Sequence, residues 1–293
     1  IGAGDRLPSK RAFAQHLGVS VVTVEAAYAQ LVAEGYVKAR PRSGYFAVAL
    51  QGPGEVKPRL RAPAPKPRKE GQSIAVAVDL TGNEDAGAAA LWSRALRRTL
   101  AEEPEHEVFL PTPAAGSGRL RQALADYLRQ SRGMEVDPGR IVVGAGAQVL
   151  DNMLVQLLGR EAAFAVEDPG YPRLKRLYEA NGVRRVVQVP LDGEGVRTDA
   201  LSASGADVLH IMPSHQFPTG RVTSISRCYE LLGWASAGSS EHRRWIIEDD
   251  FDCEFRLAGR PVPPLAAIDA EGRVVYTNTF SKGLGSGMRL AYM

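Results

Sequence analysis

A lysine in a turn after an apolar run is the first residue of this chain that could do chemistry. Lys282 follows the run Val274 to Tyr276 and ends the segment Thr279-Phe280-Ser281-Lys282, in a turn rich in Ser and Gly. A primary amine in such a place can form a Schiff base with a carbonyl compound if a desolvated pocket lowers its pKa. By itself this pattern is weak, because a lone Ser-Lys pair usually lies on the protein surface.

A run of carboxylates is the second candidate. Trp245-Ile246-Ile247 has the character of a buried strand and is followed at once by Glu248-Asp249-Asp250-Phe251. A buried carboxylate in this place could pair with a protonated pyridine nitrogen and keep a cofactor ring an acceptor of electrons. Acidic residues at a strand end are more often exposed to solvent, so the cluster alone indicates little.

Three further segments could help to hold a cofactor, although each has an ordinary structural explanation. Gly144-Ala145-Gly146-Ala147-Gln148 opens a helix, where small residues let backbone N–H groups approach a phosphate. Its spacing is neither a Walker motif nor a dinucleotide fingerprint. Tyr171, within Glu167 to Arg173, could stack on a flat ring or be an ordinary core tyrosine. Pro213 to Gly220 is a loop with polar groups after another apolar run.

Apolar runs and amphipathic segments alternate from residue 76 onward. The strand-like runs are Ile141 to Val143, Ala162 to Val166, Val186 to Val189, Val208 to Met212, Trp245 to Ile247 and Val274 to Tyr276, and helical patterns cover Leu120 to Leu128, Val149 to Leu158 and Leu174 to Ala180. This alternation predicts an α/β fold, with a mostly parallel sheet covered by helices on both faces. Because ligands bind beyond the carboxyl ends of such strands, we expect the candidate segments to meet at one edge of the sheet.

The first fifty residues show a different pattern. A helix ending at about Leu17, the turn Gly18-Val19-Ser20 and a second helix over Val21 to Glu34 predict a helix-turn-helix. Residues 35–46 then predict a hairpin that would form a wing. The second helix has one apolar face with helical spacing, formed by Val24, Ala27, Tyr28 and Leu31.

Composition and charge limit the class of protein. The chain has 293 residues, 44% hydrophobic and 24% charged, an ordinary globular composition that excludes a collagen, a coiled-coil rod and a wholly disordered chain. The sequence has no apolar run of about 18 residues and no signal segment. Cys228 and Cys253 are too few for a disulfide framework, which indicates a reducing cytosol. Residues 1–75 hold twelve Lys and Arg against five Asp and Glu, so a polyanionic partner is expected for that part alone.

A segment rich in proline and basic residues divides the chain. Residues 51–70 contain five prolines and six basic residues, and proline favours extended chain with little to bury. We therefore predict a head at 1–50, a solvated linker at 51–75, for which contact with DNA phosphates is an alternative role, and a large region at 76–293. The chain opens on Ile1 before a turn and stops inside a predicted strand, so we expect it to be a fragment of a longer polypeptide.

Several short motifs in the head carry more information than its pattern of elements. They are Gly4-Asp5-Arg6-Leu7-Pro8-Ser9, Leu17-Gly18-Val19-Ser20, Thr23-Val24, Ala27-Tyr28, Leu31, Glu34-Gly35 and Ser43-Gly44-Tyr45-Phe46. Together they resemble a GntR-type winged helix-turn-helix that lacks the family's first helix. The resemblance implies double-stranded DNA as a partner, because hydroxyls and amides of the recognition helix meet phosphates and base edges. The residues implied to face DNA are Lys10, Arg11, Ser20, Thr23, Arg40, Arg42 and Gly44. Many members have a basic residue where this chain has Val21, so base readout is not expected there.

In this order and spacing, the five segments of the large region resemble fold-type I pyridoxal-phosphate aminotransferases. Behind such a head, residues 76–293 resemble the MocR subfamily of GntR-type regulators, without the family's carboxyl-terminal small domain. The resemblance implies pyridoxal 5'-phosphate as the cofactor, with Lys282 as its Schiff-base lysine, Asp249 on the pyridine nitrogen and Tyr171 stacked on the ring. The phosphate would be held by Gly146, Ala147, Thr279, Ser281 and Arg289. An effector would meet Arg173, His215 and Gln216, and no metal is implied.

Two departures from the family pattern bear on the chemistry. The subfamily usually has a tyrosine where this chain has Phe251, and aminotransferases have an asparagine where it has Phe217. Both lost groups donate hydrogen bonds that tune the cofactor, although His215 or Gln216 could replace them. The departures are compatible with a reaction with an effector amine and argue against efficient transamination.

The resulting prediction is a transcription regulator that senses an amine, an amino acid or pyridoxal phosphate itself through an aldimine at Lys282. The resemblance implies a head-to-tail homodimer in the bacterial cytoplasm, associated with the nucleoid. One alternative is a working aminotransferase with an accessory DNA-binding head, and another is a fragment that only binds DNA. The lost donors and the basic head favour the regulator, with residual transaminase activity left open.

Overall fold

The computed structural model describes residues 2–33, 36–40, 43–48, 86–102, 109–239, 242–255 and 263–293. The expectations for Arg42 and for a linker at 51–75 therefore concern residues outside these ranges. Within them, the structure contains a small region of helices and a hairpin near the amino-terminal end and a large α/β region.

The small region is a winged helix-turn-helix, as predicted. Helix α1 (Lys10–Leu17) begins after Ser9, whose hydroxyl accepts the Ala12 N–H at 3.2 Å, and α2 (Val21–Ala33) follows a short turn. Strands β1 (Val37–Arg40) and β2 (Gly44–Ala47) pair antiparallel as the wing. The core of this region consists of Leu7, Ala14, Val24, Tyr28 and Val37. Ala27, predicted on the apolar face, is exposed, because the buried face of α2 is narrower than the sequence pattern suggests.

The large region is built on a mixed sheet whose centre is parallel, as predicted. Its strand order is β3-β10-β9-β8-β7-β4-β5-β6. The pairs among β9, β8, β7, β4 and β5 are parallel, while β3, β10 and β6 pair antiparallel at the two sides. The strands are β3 (Val143–Gly144), β4 (Ala163–Asp168), β5 (Arg185–Asp192), β6 (Gly195–Val196), β7 (Val208–Ile211), β8 (Trp245–Asp249), β9 (Val274–Thr279) and β10 (Ala291–Tyr292).

The strand predicted at Ile141 to Val143 is shorter in the structure. Only Val143 and Gly144 join the sheet as a strand. Val142 instead exchanges two backbone hydrogen bonds with Met293, at 2.8 and 2.9 Å, so its backbone groups are satisfied outside the ladder. Of this apolar run, Ile141 is buried and Val142 and Val143 are half-buried, so the run forms an extended approach to the sheet.

Helices cover both faces of the sheet. The helices of the large region are α3 (Ala86–Glu102), α4 (Gly118–Arg132), α5 (Ala147–Leu158), α6 (Pro172–Ala180), α7 (Thr198–Ser204) and α8 (Ile225–Ser236). Successive side chains of β4 alternate between the faces: Ala165 packs with α7 and α8, whereas Phe164 and Val166 pack with α5 and α6. This layering confirms the predicted fold class, although the sequence patterns did not single out α3, α7 or α8.

A third cluster joins α4 to β9 and β10, through Leu124, Leu128, Tyr276 and Tyr292. Short 3₁₀ segments lie at Pro138–Arg140, Leu265–Ile268 and Ser286–Met288. None of the helices in the described parts of the chain combines the length and the apolar character that a bilayer span requires.

Candidate functional site

The start of helix α5 forms a cradle beside an arginine. Gly146 precedes the helix with φ 98°, a left-handed conformation that favours glycine. A Cβ atom on Gly146 would lie 2.6 Å from Cζ of Arg289, so the guanidinium occupies the space that a side chain would fill. The first amides of a helix have no partner inside the helix and carry partial positive charge. A cation and a helix start at one place form a site for an anion such as a phosphate.

The pairing of β10 brings the rest of this anion site together. Ala291 of β10 is paired on one side with Gly144 and on the other with Thr279. The segment before α5 and the end of β9 therefore flank the strand that follows Arg289. The hydroxyl oxygens of Thr279 and Ser281 lie 2.7 Å apart in the turn after β9. The segments that carry the hydroxyls, the helix amides and the guanidinium thus lie on neighbouring strands at this edge of the sheet.

Asp249 ends β8 at the same edge, one strand away. Burial, and then the neighbouring carboxylate of Asp250, raises the pKa of Asp249 to about 7. Oδ1 accepts the Phe251 N–H at 3.2 Å, and 16% of the side chain remains exposed, so a ligand can reach the carboxylate. A carboxylate held in this way would be stabilised as an anion by a cation placed against it.

Lys282 lies half-buried in the turn after β9. Strands β8 and β9 are parallel neighbours, and Asp249 of β8 is paired with Thr277 of β9. Lys282 follows the carboxyl end of β9, so it lies at the same sheet edge as Asp249. The structure therefore places an amine, a carboxylate and an anion cradle at the carboxyl ends of adjacent strands.

Asp250, the next carboxylate, has a different environment. It forms a buried ion pair with Arg132 at the end of α4, with Nε–Oδ2 at 2.8 Å and Nη2–Oδ1 at 3.0 Å. The same guanidinium donates to Ser214 Oγ at 3.0 Å, and Tyr276 Oη donates to Oδ2 at 2.7 Å. This network connects α4, the loop after β7 and β9, and it holds the end of β8 in place.

Aromatic rings surround the turn after β4. Tyr171 meets Phe217 edge to face, with ring centroids 5.7 Å apart and planes at 88°. Tyr171, Phe217 and Phe251 all pack against the hydrophobic cluster that joins β4 to α5 and α6. The two phenylalanines that stand where the family has polar donors therefore contribute packing, and Phe217 orients the ring of Tyr171.

The loop after β7 is held by the side chain of Gln216. Its Nε2 donates to the carbonyl oxygens of Pro169 at 2.8 Å and Phe217 at 2.7 Å, and Oε1 accepts from Thr219. Gln216 is buried, and its amide fastens the loop to the turn after β4. His215 is half-buried on the same loop, and Arg173 is exposed in the first turn of α6.

In the winged region, the predicted residues have different environments. Lys10 Nζ lies 2.5 Å from Glu25 Oε1 and 5.5 Å from the centre of the Tyr45 ring, so its charge is already paired. The exposed hydroxyls of Ser20 and Thr23 are 2.8 Å apart at the start of α2. Arg11 and Arg40 are also exposed. The Arg40 guanidinium stacks on the ring of Phe46, with its Cζ 4.7 Å from the ring centre.

Sequence reasoning missed several residues of both regions. Arg6 lies against the wing, where a Cβ on Gly44 would be 3.2 Å from the Arg6 Nε. In the sequence, Arg6 stands out only as part of a family motif. Arg132 gives no local signal, since a basic residue at a helix end is common. Tyr178 and His210 lie in mostly apolar segments, and a polar residue within such a segment is the only feature of the sequence that could have pointed to them. His210 Nδ1 lies 2.5 Å from Tyr178 Oη.

Comparison with known proteins agrees with this architecture. Residues 1–47 match the family described as bacterial regulatory proteins, gntR family, and residues 78–293 match aminotransferase class I and II. The uncharacterized HTH-type transcriptional regulator YdeL of Bacillus subtilis is 37% identical over all of this chain. The probable rhizopine catabolism regulatory protein MocR of Rhizobium meliloti is 33% identical over 99% of it. The chain spans 62% and 61% of the length of these two relatives.

Solved structures show the same fold for the large region. An archaeal alanine:glyoxylate aminotransferase superposes with a TM-score of 0.62 at 30% identity, covering 71% of this chain and 53% of that chain. Pyrococcus horikoshii kynurenine aminotransferase, solved in complex with PMP, superposes with a TM-score of 0.62 at 26% identity, covering 70% and 52%. The chain therefore belongs to the aminotransferase class I and II family over residues 78–293 and has a gntR-family domain over residues 1–47, an arrangement consistent with the MocR subfamily of GntR-type regulators.

Proposed function

We propose that the protein is a DNA-binding transcription regulator whose large region holds pyridoxal 5'-phosphate and senses a small amine, an amino acid or the cofactor itself. The observation that carries this proposal is the Arg289–Gly146 cradle, which lies at one sheet edge with Asp249 and Lys282. Residues 1–50 would act as the DNA-binding head, 51–75 as a linker and 76–293 as the sensing region.

The cradle fits the phosphate end of this cofactor. The amides of Gly146 and Ala147 and the guanidinium of Arg289 supply positive charge where a phosphate would lie. The hydroxyls of Thr279 and Ser281 would donate to the same group. A dianionic phosphate is therefore matched in charge and in hydrogen-bond donors.

The other end of the site fits a flat ring with a basic nitrogen. Asp249 would pair with the protonated pyridine nitrogen, which explains why a carboxylate is kept in a largely buried place. Tyr171, oriented by Phe217, would stack on the ring. When bound, the cofactor supplies an aldehyde that condenses with a primary amine, and Lys282 is the residue that would provide that amine.

Two features favour sensing over turnover. Phe251 and Phe217 pack on the cluster beside Tyr171 and have no donor that could tune the cofactor's polar groups. The basic head would be of no use to an enzyme that acts only on small molecules, whereas a regulator needs it. An active aminotransferase is the second candidate, favoured by its kinship with the aminotransferase fold.

An effector would control DNA binding if its affinity differs between two arrangements of head and sensing region. Arg173, His215 and Gln216 are the proposed effector contacts, and Gln216 would also hold the loop in place. A head-to-tail homodimer would present two heads to paired half-sites on duplex DNA. The proposed location is the bacterial cytoplasm, on the nucleoid.

The test uses the full-length protein and its Lys282→Ala variant, each mixed with pyridoxal phosphate. We expect the wild type to develop an absorption band near ~420 nm that the variant lacks. Tyr229→Phe, a change in a half-buried residue of α8 away from the site, is the matched control and should keep the band. Absence of a lysine-dependent band would overturn both the sensor and the aminotransferase.

A second measurement separates these two candidates. Amines and amino acids are added to the loaded protein, and both keto-acid formation and the affinity for duplex DNA are followed. The sensor predicts a spectral change and altered DNA affinity with little keto acid formed. Sustained turnover without any effect on DNA binding would identify the enzyme instead.

A further inference from the structure

A buried histidine beside Asp249 has one ring nitrogen bound and the other without a hydrogen-bond partner. His210 of β7 is 1% exposed. Its Nδ1 lies 2.5 Å from Tyr178 Oη, on α6. Its Nε2 has no hydrogen bond within the part of the chain that the structure describes, and it lies 4.0 Å from Asp249 Oδ2. A buried polar atom without a partner is costly, so its direction toward Asp249 needs an explanation.

The direction of the hydrogen bond to Tyr178 and the ring nitrogen of His210 that carries the proton depend on each other. Burial lowers the pKa of His210 to about 3, so the ring is neutral at pH 7 and has one N–H. Burial and the charges of Asp151 and Asp249 raise the pKa of Tyr178 well above its ordinary value, so its phenol keeps its proton. If the phenol donates to Nδ1, as its retained proton allows, the ring proton lies on Nε2, facing Asp249.

The side chains whose charges shift the pKa of Asp249 are carboxylates. Asp250 and Asp252 follow it in the chain and raise its pKa further, after the larger effect of burial. Asp151 of α5 is buried close enough for its pKa to be raised by Asp249. The Arg132 guanidinium is bound to Asp250. A donor at Oδ2 would thus offset an environment that otherwise favours the protonated acid.

We propose that Tyr178 and His210 are a positioning pair for Asp249. The hydroxyl of Tyr178 fixes the Nε2–H tautomer of His210. When a cation binds at the carboxylate of Asp249, this N–H moves closer and donates a hydrogen bond to Oδ2. The pair keeps Asp249 ionised and oriented, and no proton is transferred. The inference rests on the proposed function in one respect, since it identifies the cation as the protonated pyridine nitrogen of the cofactor.

The first test needs no cofactor. The full-length protein is labelled with ¹⁵N-histidine, and two-bond ¹H–¹⁵N correlations report the tautomer of each ring, with His210 assigned from the His210→Gln spectrum. The expected result at pH 7 is a neutral Nε2–H ring in the wild type and in Tyr229→Phe, and loss of that fixed tautomer in Tyr178→Phe. A charged ring or an Nδ1–H ring in the wild type overturns the inference.

The second test measures cofactor affinity with variants that keep or remove the donor. His210→Leu removes the Nε2–H, whereas the amide of His210→Gln can reach the same place. We expect His210→Leu to bind pyridoxal phosphate about tenfold or more weakly, the usual effect of losing a hydrogen bond to a charged group, and His210→Gln to recover most of the loss. Equal affinities for the wild type and His210→Leu would contradict the proposal.

A cofactor analogue separates positioning of Asp249 from a general effect on folding. In this analogue C–H replaces the pyridine nitrogen, so Asp249 has no cation to meet. The difference between the wild type and His210→Leu should then disappear, whereas a structural defect would weaken the binding of both compounds equally. If the wild type does not bind pyridoxal phosphate at all, the proposed function fails, and the tautomer measurement still decides whether Tyr178 and His210 form the pair.

Discussion

The guanidinium of Arg289 lies against Gly146, in the space that a side chain at the start of α5 would occupy. A Cβ there would be 2.6 Å from Arg289 Cζ, closer than unbonded heavy atoms can approach. Arg289 has φ 51° and therefore needs a left-handed backbone to reach this place. The two residues depend on each other, because the glycine makes room for the cation and the cation completes the anion site.

Gly146→Ala should weaken pyridoxal phosphate binding, because the added methyl group displaces Arg289 and the backbone at φ 98° disfavours alanine. We expect a loss of about tenfold to a hundredfold, the range for one hydrogen bond to a charged group. The matched control is Gly118→Ala, which has open space around it at the start of α4. Equilibrium titration with the cofactor measures the affinity of both variants and of the wild type. If Gly146→Ala bound the cofactor as tightly as the wild type, Arg289 would be excluded from the phosphate site.

Asp250→Asn should destabilise the fold strongly, because it leaves Arg132 buried without its carboxylate. The two side chains are 0% and 2% exposed, and breaking such a pair costs about 3–5 kcal/mol. Denaturant unfolding measures the loss. The same substitution at Asp199, which pairs with Arg197 on the surface, is the control and should change stability little. A small effect at Asp250 would mean that water reaches Arg132.

Stability without cofactor should fall as pH rises above 6.5. Burial raises the pKa values of Asp151 and Glu167 to about 8, so the folded chain retains protons that the unfolded chain has lost. The contribution of these two protons to the unfolding free energy is therefore complete below the ordinary pKa of the acids and is lost once pH passes about 8. Between these limits each acid lowers the unfolding free energy by up to about 1.4 kcal/mol per pH unit. His210, whose pKa is lowered, acts in the opposite sense, and its effect fades as pH rises above its ordinary pKa of about 6.5.

Asp151→Asn tests this origin, because the amide imitates the protonated acid and does not titrate. The variant should show a shallower fall in unfolding free energy between pH 6.5 and 8 than the wild type. Asp199→Asn, with an exposed carboxylate of lowered pKa, should leave the slope unchanged. A slope that is the same in Asp151→Asn and the wild type would show that Asp151 is ionised throughout.

The salt dependence of DNA binding should separate Arg11 from Lys10. The side chain of Arg11 is exposed, whereas Lys10 is paired with Glu25. Arg11→Ala should weaken binding to non-specific duplex DNA and reduce the slope of log K against log[salt] by about one, the loss of one phosphate contact. Lys10→Ala should change the slope less. Arg184→Ala, on the large region and paired with Glu161, is the control, and a full change of slope for Lys10 would place that residue on DNA.

The elements and their order could be read from the sequence because their signals are local. Apolar runs such as Ala162 to Val166 and helical spacing such as Val149 to Leu158 depend only on neighbours along the chain. The strands pair in parallel, and the carboxyl ends of parallel strands share one edge. This is why Asp249 and Lys282 could be assigned to one edge before the sheet order was known.

The partner of each charged group, in contrast, was decided by tertiary structure. Arg132 and Asp250 are 118 residues apart, and Tyr178 and His210 are 32 apart. Lys10 has the composition of a DNA contact, yet the packing of α1 on α2 brings it to Glu25. Such pairings follow from strand register and side-chain direction across separate elements, which residue types and spacing do not encode. The sequence by itself therefore determined the fold class and the sheet edge that carries the site, and only the folded chain determined which side chains hold one another there.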